Sequence, residues 1–254
     1  MSGLTAFSLE GQVAVVTGAN TGLGQGIAVG LAEAGADIVA VGRSAPTETA
    51  RKVQAAGRRL HAVDADLGST EPIARIVAEA WAVAGQVDIL VNNAGMIRRA
   101  DALDFTEVDW DAVMDVNLKA AFFLAQAVAR RWVEAGRGGK IVNIVSMLSF
   151  QGGIRVPSYT ASKSGLAGLT KLLANEWAGK GINVNAIAPG YFATNNTEAL
   201  RADEGRSREI LGRIPAGRWG EPADLAGAAV FLASRASDYM HGAIVPVDGG
   251  WLAR

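Results

Sequence analysis

A tyrosine and a lysine in the second half of the chain have the spacing of a proton-transfer pair. Tyr159 and Lys163 are four positions apart, so on a helix they share one face, with their Cβ atoms about 5–6 Å apart. A phenol has a reference pKa of about 10 and is a poor base near neutrality. A neighbouring ammonium lowers that pKa and brings Tyr159 towards proton exchange with an alcohol or carbonyl. Taken alone, the pair also fits an incidental Tyr and Lys on a surface helix.

Ser146 strengthens the catalytic interpretation. It follows an apolar run at residues 141–145 that we predict to be a strand. Open α/β sheets bind ligands at the carboxyl ends of their strands. There, the Ser146 hydroxyl could hydrogen-bond a reacting oxygen and hold it beside Tyr159. Ser149 is nearby and is the rival for this role.

A glycine cluster follows the first apolar run of the chain. Gly18, Gly22 and Gly24 have the spacing G-x-x-x-G-x-G and precede a segment of helical period. Glycines there permit a tight turn and let backbone N–H groups approach a pyrophosphate at the helix N-terminus. In a chain with 31 glycines a plain turn is the alternative, but the position between a strand and a helix favours a dinucleotide site.

The elements that must position these residues alternate along the chain. Short runs rich in Val and Ile predict seven strands, at residues 13–17, 37–41, 60–63, 89–92, 141–145, 184–188 and 244–247. Segments of helical period predict helices at residues 24–34, 70–83, 108–135, 159–178 and 222–233. Apolar strands that alternate with helices indicate a parallel sheet covered on both sides. We therefore predict one doubly wound α/β domain over residues 1–254, in which the charged stretch 194–220 is either a surface helix or a lid over a pocket.

Composition excludes several classes of function. The 24 Lys and Arg nearly balance the 25 Asp and Glu, which argues against a nucleic-acid partner. The absence of cysteine and the presence of only two histidines exclude thiol chemistry and thiolate or His-rich metal sites, so we expect no metal. No G-x-S-x-G motif supports a hydrolase. No uninterrupted apolar stretch reaches the ~18–20 residues of a membrane span, and the N-terminus does not resemble a signal peptide, so we expect a cytoplasmic protein without membrane contact.

Five motifs together resemble the short-chain dehydrogenase/reductase family, in order and at the usual spacings. They are Thr17-Gly-x-x-x-Gly-x-Gly24, Asn92-Asn93-Ala94-Gly95, Ser146, Tyr159-x-x-x-Lys163 and Pro189-Gly190. The resemblance covers essentially the whole chain. It implies a seven-stranded Rossmann-type sheet, an NAD(P)-dependent oxidoreductase acting on a CH–OH group, and a homotetramer or dimer, of which we expect the tetramer. It also implies a catalytic tetrad of Asn117, Ser146, Tyr159 and Lys163, in which Asn117 holds a water that relays protons to the lysine.

The cofactor-binding residues follow from the same resemblance and from the chemistry after the second strand. No acid stands where dinucleotide enzymes often bind the adenosine 2′-hydroxyl, and Arg43 could pair with a 2′-phosphate, which favours NADP or use of both cofactors. The chain also resembles, more narrowly, family members that act on sugar acids, and these mostly use NAD. We therefore expect NAD, with NADP as the alternative. The expected cofactor-binding residues are Gly18, Asn20, Thr21, Gly22, Leu23, Gly24, Arg43, Asp66, Leu67, Asn93, Ala94, Gly95, Tyr159, Lys163, Pro189, Gly190 and Thr194.

Segments at residues 146–159, 191–197, 214–220 and 248–254 resemble family members that act on keto or hydroxy sugar acids in pectin and alginate breakdown. The expected substrate is 2-dehydro-3-deoxy-D-gluconate and its 5-oxo form. A guanidinium is the natural bidentate partner of its carboxylate. Arg155, between Ser146 and Tyr159, is the first candidate, Arg98 and Arg99 are next, and Gln151 could bind hydroxyls. For each arginine the alternative is a surface charge or a subunit contact.

Two other functional classes stay open. The first is another short-chain reductase, such as a gluconate 5-dehydrogenase, a uronate reductase or a 3-oxoacyl-carrier-protein reductase. The last of these should present a basic patch to its acidic partner protein, and the sequence has no clear basic cluster. The second class is a non-catalytic dinucleotide sensor. Such a protein could lose the Tyr or the Lys, but both are present here.

Overall fold

The computed structural model describes residues 3–253 and contains one parallel sheet with the strand order β3-β2-β1-β4-β5-β6-β7. Every neighbouring pair of strands is parallel. The order reverses between β1 and β4, and in open α/β sheets a ligand crevice lies at such a switch point. The Rossmann-type prediction is confirmed. The strands are β1 (Val13–Thr17), β2 (Asp37–Gly42), β3 (Leu60–Asp64), β4 (Ile89–Asn92), β5 (Gly139–Ile144), β6 (Ile182–Pro189) and β7 (Ile244–Val247).

Helices cover both faces of the sheet because successive strand residues point to opposite sides. In β1, Val15 packs into one apolar cluster and Val16 into the other. The first cluster includes side chains of α3, α5 and α6, and the second includes side chains of α1 and α9. The helices are α1 (Gly22–Glu33), α2 (Thr47–Ala55), α3 (Ile73–Ala84), α4 (Glu107–Met114), α5 (Ala120–Glu134), α6 (Pro157–Trp177), α7 (Glu198–Ala202), α8 (Glu204–Arg213) and α9 (Ala226–Ala233).

The helix predicted over residues 108–135 is interrupted. Regular helix ends at Met114, and a π turn, Asp115–Lys119, precedes α5. A π turn inserts a residue into the helical ladder and is frequent at functional sites. Asn117 lies in this turn and is buried.

The continuous helical stretch Glu107–Glu134 is long and apolar enough to cross a membrane by length and composition, with a mean hydropathy of 1.3 over an 18-residue window. We expected no such stretch, because polar residues interrupt every apolar run in the sequence. The mean hydropathy of this stretch stays high despite its polar residues. Leu124, Val128 and Trp132 of α5 are buried in the apolar cluster against the sheet. A core helix meets the same composition test, and 44% of this window is buried inside the protein.

After β6 the chain forms what we term the α7–α8 segment, residues 195–213. It consists of a 3₁₀ turn, Asn195–Thr197, followed by α7 and α8. Most of its side chains are exposed. Ile210 of α8 is buried, together with Met147, Ile214 and Trp251, in a small cluster separate from the two main ones. A thin apolar contact therefore holds the segment beside the sheet, and its role as a lid stays a prediction.

Candidate functional site

A cleft opens at the carboxyl ends of β1, β4, β5 and β6. It brings together most of the residues predicted for the cofactor and for catalysis. Within residues 3–253, no group of three or more His, Asp or Glu side chains is placed to hold a metal ion. The described residues that line the cleft are Gly18, Asn20, Thr21, Gly22, Leu23, Gly24, Asn93, Ala94, Gly95, Ile144, Val145, Ser146, Tyr159, Lys163, Pro189, Gly190, Phe192, Thr194, Asn195, Asn196 and Thr197.

The turn between β1 and α1 is packed too closely to admit a side chain at Gly24. A Cβ atom there would lie 2.1 Å from the carbonyl oxygen of Gly18 and 2.4 Å from Nδ2 of Asn93. The Asn93 amide donates to the carbonyl of Thr17 at 2.9 Å and so ties the end of β4 to this turn. Thr21 makes no side-chain capping bond to the first turn of α1. Uncapped N–H groups at a helix N-terminus suit a pyrophosphate, as the sequence predicts.

A second cavity lies at the carboxyl end of β2. Asn20, Arg43 and Ser44 are among its lining residues. The Arg43 guanidinium lies 3.9 Å from the carboxylate of Asp66, and both side chains are largely exposed. The Leu67 side chain is instead buried in the apolar cluster under the sheet. The cavity, with its hydroxyl, amide and guanidinium groups, fits the adenosine half of a dinucleotide.

A nicotinamide dinucleotide thus fits the residues of the two cavities. The tightly packed β1–α1 turn would hold its pyrophosphate, and Arg43 would meet its adenosine end. When bound, such a cofactor supplies or accepts a hydride. The chain's own residues bind and orient the reactants and move the proton.

The predicted catalytic side chains come from β5 and α6. Ser146 follows β5 and is buried, and its hydroxyl makes a hydrogen bond with Tyr159. The Lys163 ammonium lies 5.8 Å from the centroid of the Tyr159 ring and donates to the carbonyl of Ile144 at 2.7 Å. The rival hydroxyl, on Ser149, donates to the carbonyl of Lys163 at 2.8 Å. Ser146 is therefore the serine that meets the tyrosine.

The pKa of Tyr159 lies above its ordinary value, opposite to the prediction. Burial raises the pKa, and the hydrogen bond with Ser146 and the positive charge of Arg99 offset this only in part. Burial also lowers the pKa of Lys163 to about 8. The prediction was wrong because the sequence shows which charges are near but not how much water is removed. At neutral pH the Tyr159 phenol is protonated, the form that donates a proton to a carbonyl oxygen.

Asn117 clamps the loop that follows β4. Its Oδ1 accepts from the Met96 N–H at 2.8 Å, and its Nδ2 donates to the Met96 carbonyl at 3.0 Å and to Ser162 Oγ at 3.2 Å. A Cβ atom at Gly95 would lie 3.2 Å from Oδ1 of Asn117 and 3.6 Å from Nζ of Lys163. Gly95 therefore leaves room between the amide and the ammonium. The water-holding role of Asn117 stays a prediction.

Two of the predicted substrate arginines lie on the rim rather than in the cleft. The Arg155 guanidinium is 3.3 Å from the Asp101 carboxylate, and that of Arg98 is 3.2 Å from the Asp109 carboxylate. Neither arginine is among the described residues that line the cleft. The position of Arg155 between Ser146 and Tyr159 in the sequence did not predict where its side chain points. Residue 155 has a φ of +63°, a left-handed backbone conformation that changes the direction of the chain at this point.

Arg99 is not among the described residues that line the cleft either, but it contacts one of them. It donates to the carbonyl of Asn196, a cleft-lining residue, at 3.1 Å, and its charge acts on the pKa of Tyr159. Gln151, predicted to bind hydroxyls, accepts a hydrogen bond from the Trp251 indole at 3.2 Å.

A buried polar network beneath the catalytic residues went unpredicted. Asn92 of β4 donates to Oδ1 of Asn143 on β5 at 3.0 Å, and Asn143 donates to Thr170 of α6 at 3.0 Å. Thr170 lies seven residues after Lys163, two turns along the same helical face. The network fixes α6 against the sheet. Its signal in the sequence is the pair of amides inside otherwise apolar strands.

The comparison with known proteins agrees with this site. The model of the short chain dehydrogenase family matches residues 12–205. A 2-dehydro-3-deoxy-D-gluconate 5-dehydrogenase from Escherichia coli K12 is 64% identical over 251 residues, which cover 99% of each chain. A solved protein from Agrobacterium tumefaciens, named as a candidate 2-deoxy-D-gluconate 3-dehydrogenase and holding NADP, is 65% identical, with a TM-score of 0.93 over 98% of this chain and 99% of that one.

A solved protein from Beutenbergia cavernae, named as a candidate NAD(P)-dependent gluconate 5-dehydrogenase and holding NADP at low occupancy, is 52% identical, with a TM-score of 0.93 over 98% of this chain and 100% of that one. These matches confirm the family resemblance and its narrower form, a similarity to 2-dehydro-3-deoxy-D-gluconate 5-dehydrogenases. The chain belongs to the short-chain dehydrogenase family and is an NAD(P)-dependent oxidoreductase that acts on a CH–OH group.

Proposed function

We propose that this enzyme interconverts 2-dehydro-3-deoxy-D-gluconate and its 5-oxo form. The observation that carries the proposal is a cleft in which Ser146, Tyr159 and Lys163 meet, in a chain 64% identical over its length to a relative named for that reaction. The setting we propose, from the sequence, is a cytoplasmic step in the use of sugar acids from pectin and alginate.

The chemistry follows from the state of each side chain. Ser146 binds the oxygen of the reacting carbon and holds it beside Tyr159. In carbonyl reduction the protonated Tyr159 gives its proton to that oxygen, and a raised pKa keeps the proton available at neutral pH. In alcohol oxidation Tyr159 must first lose its proton, so the oxidation rate should rise with pH. Lys163, whose pKa is lowered to about 8, holds positive charge beside the ring below that pH.

The test is nicotinamide absorbance with both cofactors against a panel of substrates. The panel is 2-dehydro-3-deoxy-D-gluconate, gluconate, 2-deoxygluconate, 4-deoxy-5-hexoseulose uronate and an acetoacetyl thioester. We expect the highest kcat/KM with 2-dehydro-3-deoxy-D-gluconate. A preference for gluconate would make the enzyme a gluconate 5-dehydrogenase, as the 52% identical structure is named. Turnover of the thioester alone would retain the catalytic residues and overturn the sugar-acid proposal.

For the cofactor, we propose that NADP is accepted as well as the expected NAD, with Arg43 meeting the 2′-phosphate. Arg43 lines the cavity at the end of β2, and two relatives were solved with NADP. An Asp at position 42 has room, because a Cβ there has no neighbour nearer than 4.0 Å. Gly42→Asp and Arg43→Ala should each lower kcat/KM for NADP roughly tenfold more than for NAD. Equal losses with both cofactors would contradict the proposal that this end of β2 distinguishes the 2′-phosphate of NADP from the 2′-hydroxyl of NAD.

For assembly, we propose a homotetramer in which helices α4, α5 and α6 carry a subunit contact. Val108 and Trp110 of α4, Phe123 of α5 and Leu172 of α6 are all exposed apolar side chains. Burial of such a surface is a common basis of subunit association. Light scattering after size-exclusion chromatography should give four times the chain mass of 26.3 kDa. A monomer at micromolar concentration would contradict the proposal.

A further inference from the structure

Helix α8 carries two exposed arginines on the face that contains its buried residue. Arg206, Ile210 and Arg213 stand at positions i, i+4 and i+7 of one helix, so they share one face. Ile210 is buried in the small cluster with Met147 and Trp251. Arg206 and Arg213 therefore flank the contact by which α8 is held, one turn to either side, and Arg206 is ion-paired with Glu209 at 2.9 Å.

Arg213 is held flat against an aromatic ring rather than in an ion pair. Its Cζ lies 4.0 Å from the centroid of the Trp251 ring, and no carboxylate side chain among residues 3–253 lies within 4.0 Å of its guanidinium. Trp251 is itself fixed by the hydrogen bond to Gln151. The guanidinium is thus oriented while its N–H donors stay available to a ligand.

Tyr191 packs beside the tryptophan over which Arg213 lies. Its ring packs edge-on against Trp251 at 4.8 Å and Trp219 at 5.6 Å. Burial raises the pKa of its phenol, and the charges of Arg206, Arg213 and Arg99 each lower it. Arg99 acts on the pKa of both Tyr159 and Tyr191, and it donates to the carbonyl of Asn196 in the 3₁₀ turn that precedes α7.

We propose that Arg213 of α8, which lies over Trp251, forms with Arg99 an anion subsite beside Tyr191 that binds the substrate carboxylate. In a 5-oxohexonate the carboxylate and the reacting carbon are at opposite ends of the carbon chain. The subsite would therefore bind the end of the substrate that is remote from the carbon that reacts at Tyr159. The inference rests on the proposed function, because a sugar acid provides the anion.

A substrate carboxylate that neutralises the charge of these arginines would also move the α7–α8 segment. Ile210 is the buried residue of α8, and none of the described residues of α7 is buried. A carboxylate held by Arg213 and Arg99 joins this weakly held segment to the loop after β4. Substrate charge then serves as the closing contact of a lid, since a ligand shifts an equilibrium by its differential contacts with the two states.

The test compares 2-dehydro-3-deoxy-D-gluconate with its uncharged carboxamide in the parent enzyme and three variants. Arg213→Gln should lower kcat/KM for the carboxylate about 10- to 100-fold, mainly through KM, and lower that for the amide far less. Arg213→Lys keeps a charge and should recover part of the loss. Arg208→Gln is the matched control, because residue 208 lies on the same helix but two positions after Arg206 and so on another face. It should affect both substrates equally and little.

Equal losses with the carboxylate and the amide in Arg213→Gln, or the same selective loss in Arg208→Gln, would overturn the subsite. Binding separates this result from failure of the proposed function. Trp219 and Trp251 lie beside Tyr191, so tryptophan fluorescence should report a titration with D-gluconate but not with gluconamide. If no sugar acid is turned over but this signal is present and is lost in Arg213→Gln, the proposed function fails and the subsite stands.

Discussion

The cofactor side of the cleft and the α7–α8 segment face the same space but differ in construction. On the cofactor side Gly24 leaves no room for a methyl group, and Asn117 and Lys163 are buried with hydrogen-bonded polar atoms. In the α7–α8 segment the side chains are mostly charged and exposed, and Ile210 provides the buried contact.

The contrast separates two requirements of one reaction. Transferring a proton beside a dinucleotide needs groups fixed before the substrate arrives, because electrostatic preorganisation saves reorganisation during the reaction. Admitting and retaining a substrate needs a segment of low local stability that can open. We therefore expect substitutions on the cofactor side to abolish chemistry or binding of the dinucleotide. Substitutions in the α7–α8 segment should change substrate affinity and local motion.

The largest expected effect is on the cofactor side. Tyr159→Phe removes the proton donor and should lower kcat by roughly 10²–10⁴-fold, with dinucleotide affinity nearly unchanged. Initial rates and fluorescence titration with NADPH measure the two quantities. Tyr239→Phe is the control, because Tyr239 is fully exposed, and it should match the parent enzyme. Retention of most turnover in Tyr159→Phe would remove this residue from the chemistry.

Gly24→Ala should break the close packing at the β1–α1 turn. The added methyl group would meet the Gly18 carbonyl and the Asn93 amide, which are held by other hydrogen bonds. Overpacking of this kind costs about 1–3 kcal/mol of unfolding free energy, and we expect dinucleotide binding to weaken as well. Gly227→Ala in α9 is the control, since a Cβ there meets nothing within 4 Å. Equal urea midpoints for the two variants would contradict the idea of a tight turn.

Ile210→Ala should act on the α7–α8 segment alone. Removing its buried contact should speed amide hydrogen exchange over residues 198–213 and raise KM, while the dinucleotide dissociation constant stays the same. Ile27→Ala in α1 removes the same atoms from the main core and should lower global stability by about 2–5 kcal/mol. If Ile210→Ala lowers global stability by as much, the two regions do not differ as proposed.

The smallest effect concerns the chain that follows the segment. Hydrogen bonds from Arg218 and from the Glu221 N–H lower the pKa of Asp224 to about 2. A carboxyl group with a lowered folded-state pKa stabilises the fold above its unfolded pKa, about 3.9, and loses this contribution as pH falls towards the folded value. Asp224→Asn should cost less than about 1 kcal/mol at pH 7, and the gap to the parent should shrink below pH 4 in urea titrations. A gap that is constant with pH would rule out the charge as its cause.

The predictions from sequence succeeded where local pattern and chemistry coincide. The seven strands overlap the predicted runs because apolar strands buried on both faces leave an unmistakable composition. Tyr159 and Lys163 meet because a regular helix determines which residues share a face. The break in the helix at Asn117 was not predicted, since a π turn has no simple periodic signal.

The substrate side was harder to predict. Arg155 and Arg98 have the right chemistry, but their pairing with Asp101 and Asp109 depends on how a loop folds back, which residue spacing does not show. Arg213 is far from Tyr159 in sequence and approaches Tyr191 only because α8 packs on Trp251. Long-range placement, rather than residue type, distinguishes an arginine paired with a carboxylate from one that lies over an aromatic ring.

The sequence by itself predicted the fold class and the dinucleotide turn from periodicity and short-range spacing, and it predicted the serine, tyrosine and lysine from spacing together with the family resemblance. The tertiary structure alone decided the direction of the Tyr159 pKa, the clamp on Met96 and the placement of Arg213 over Trp251 beside Tyr191. The physical reason is that desolvation and charge density depend on which distant segments close around a point in space.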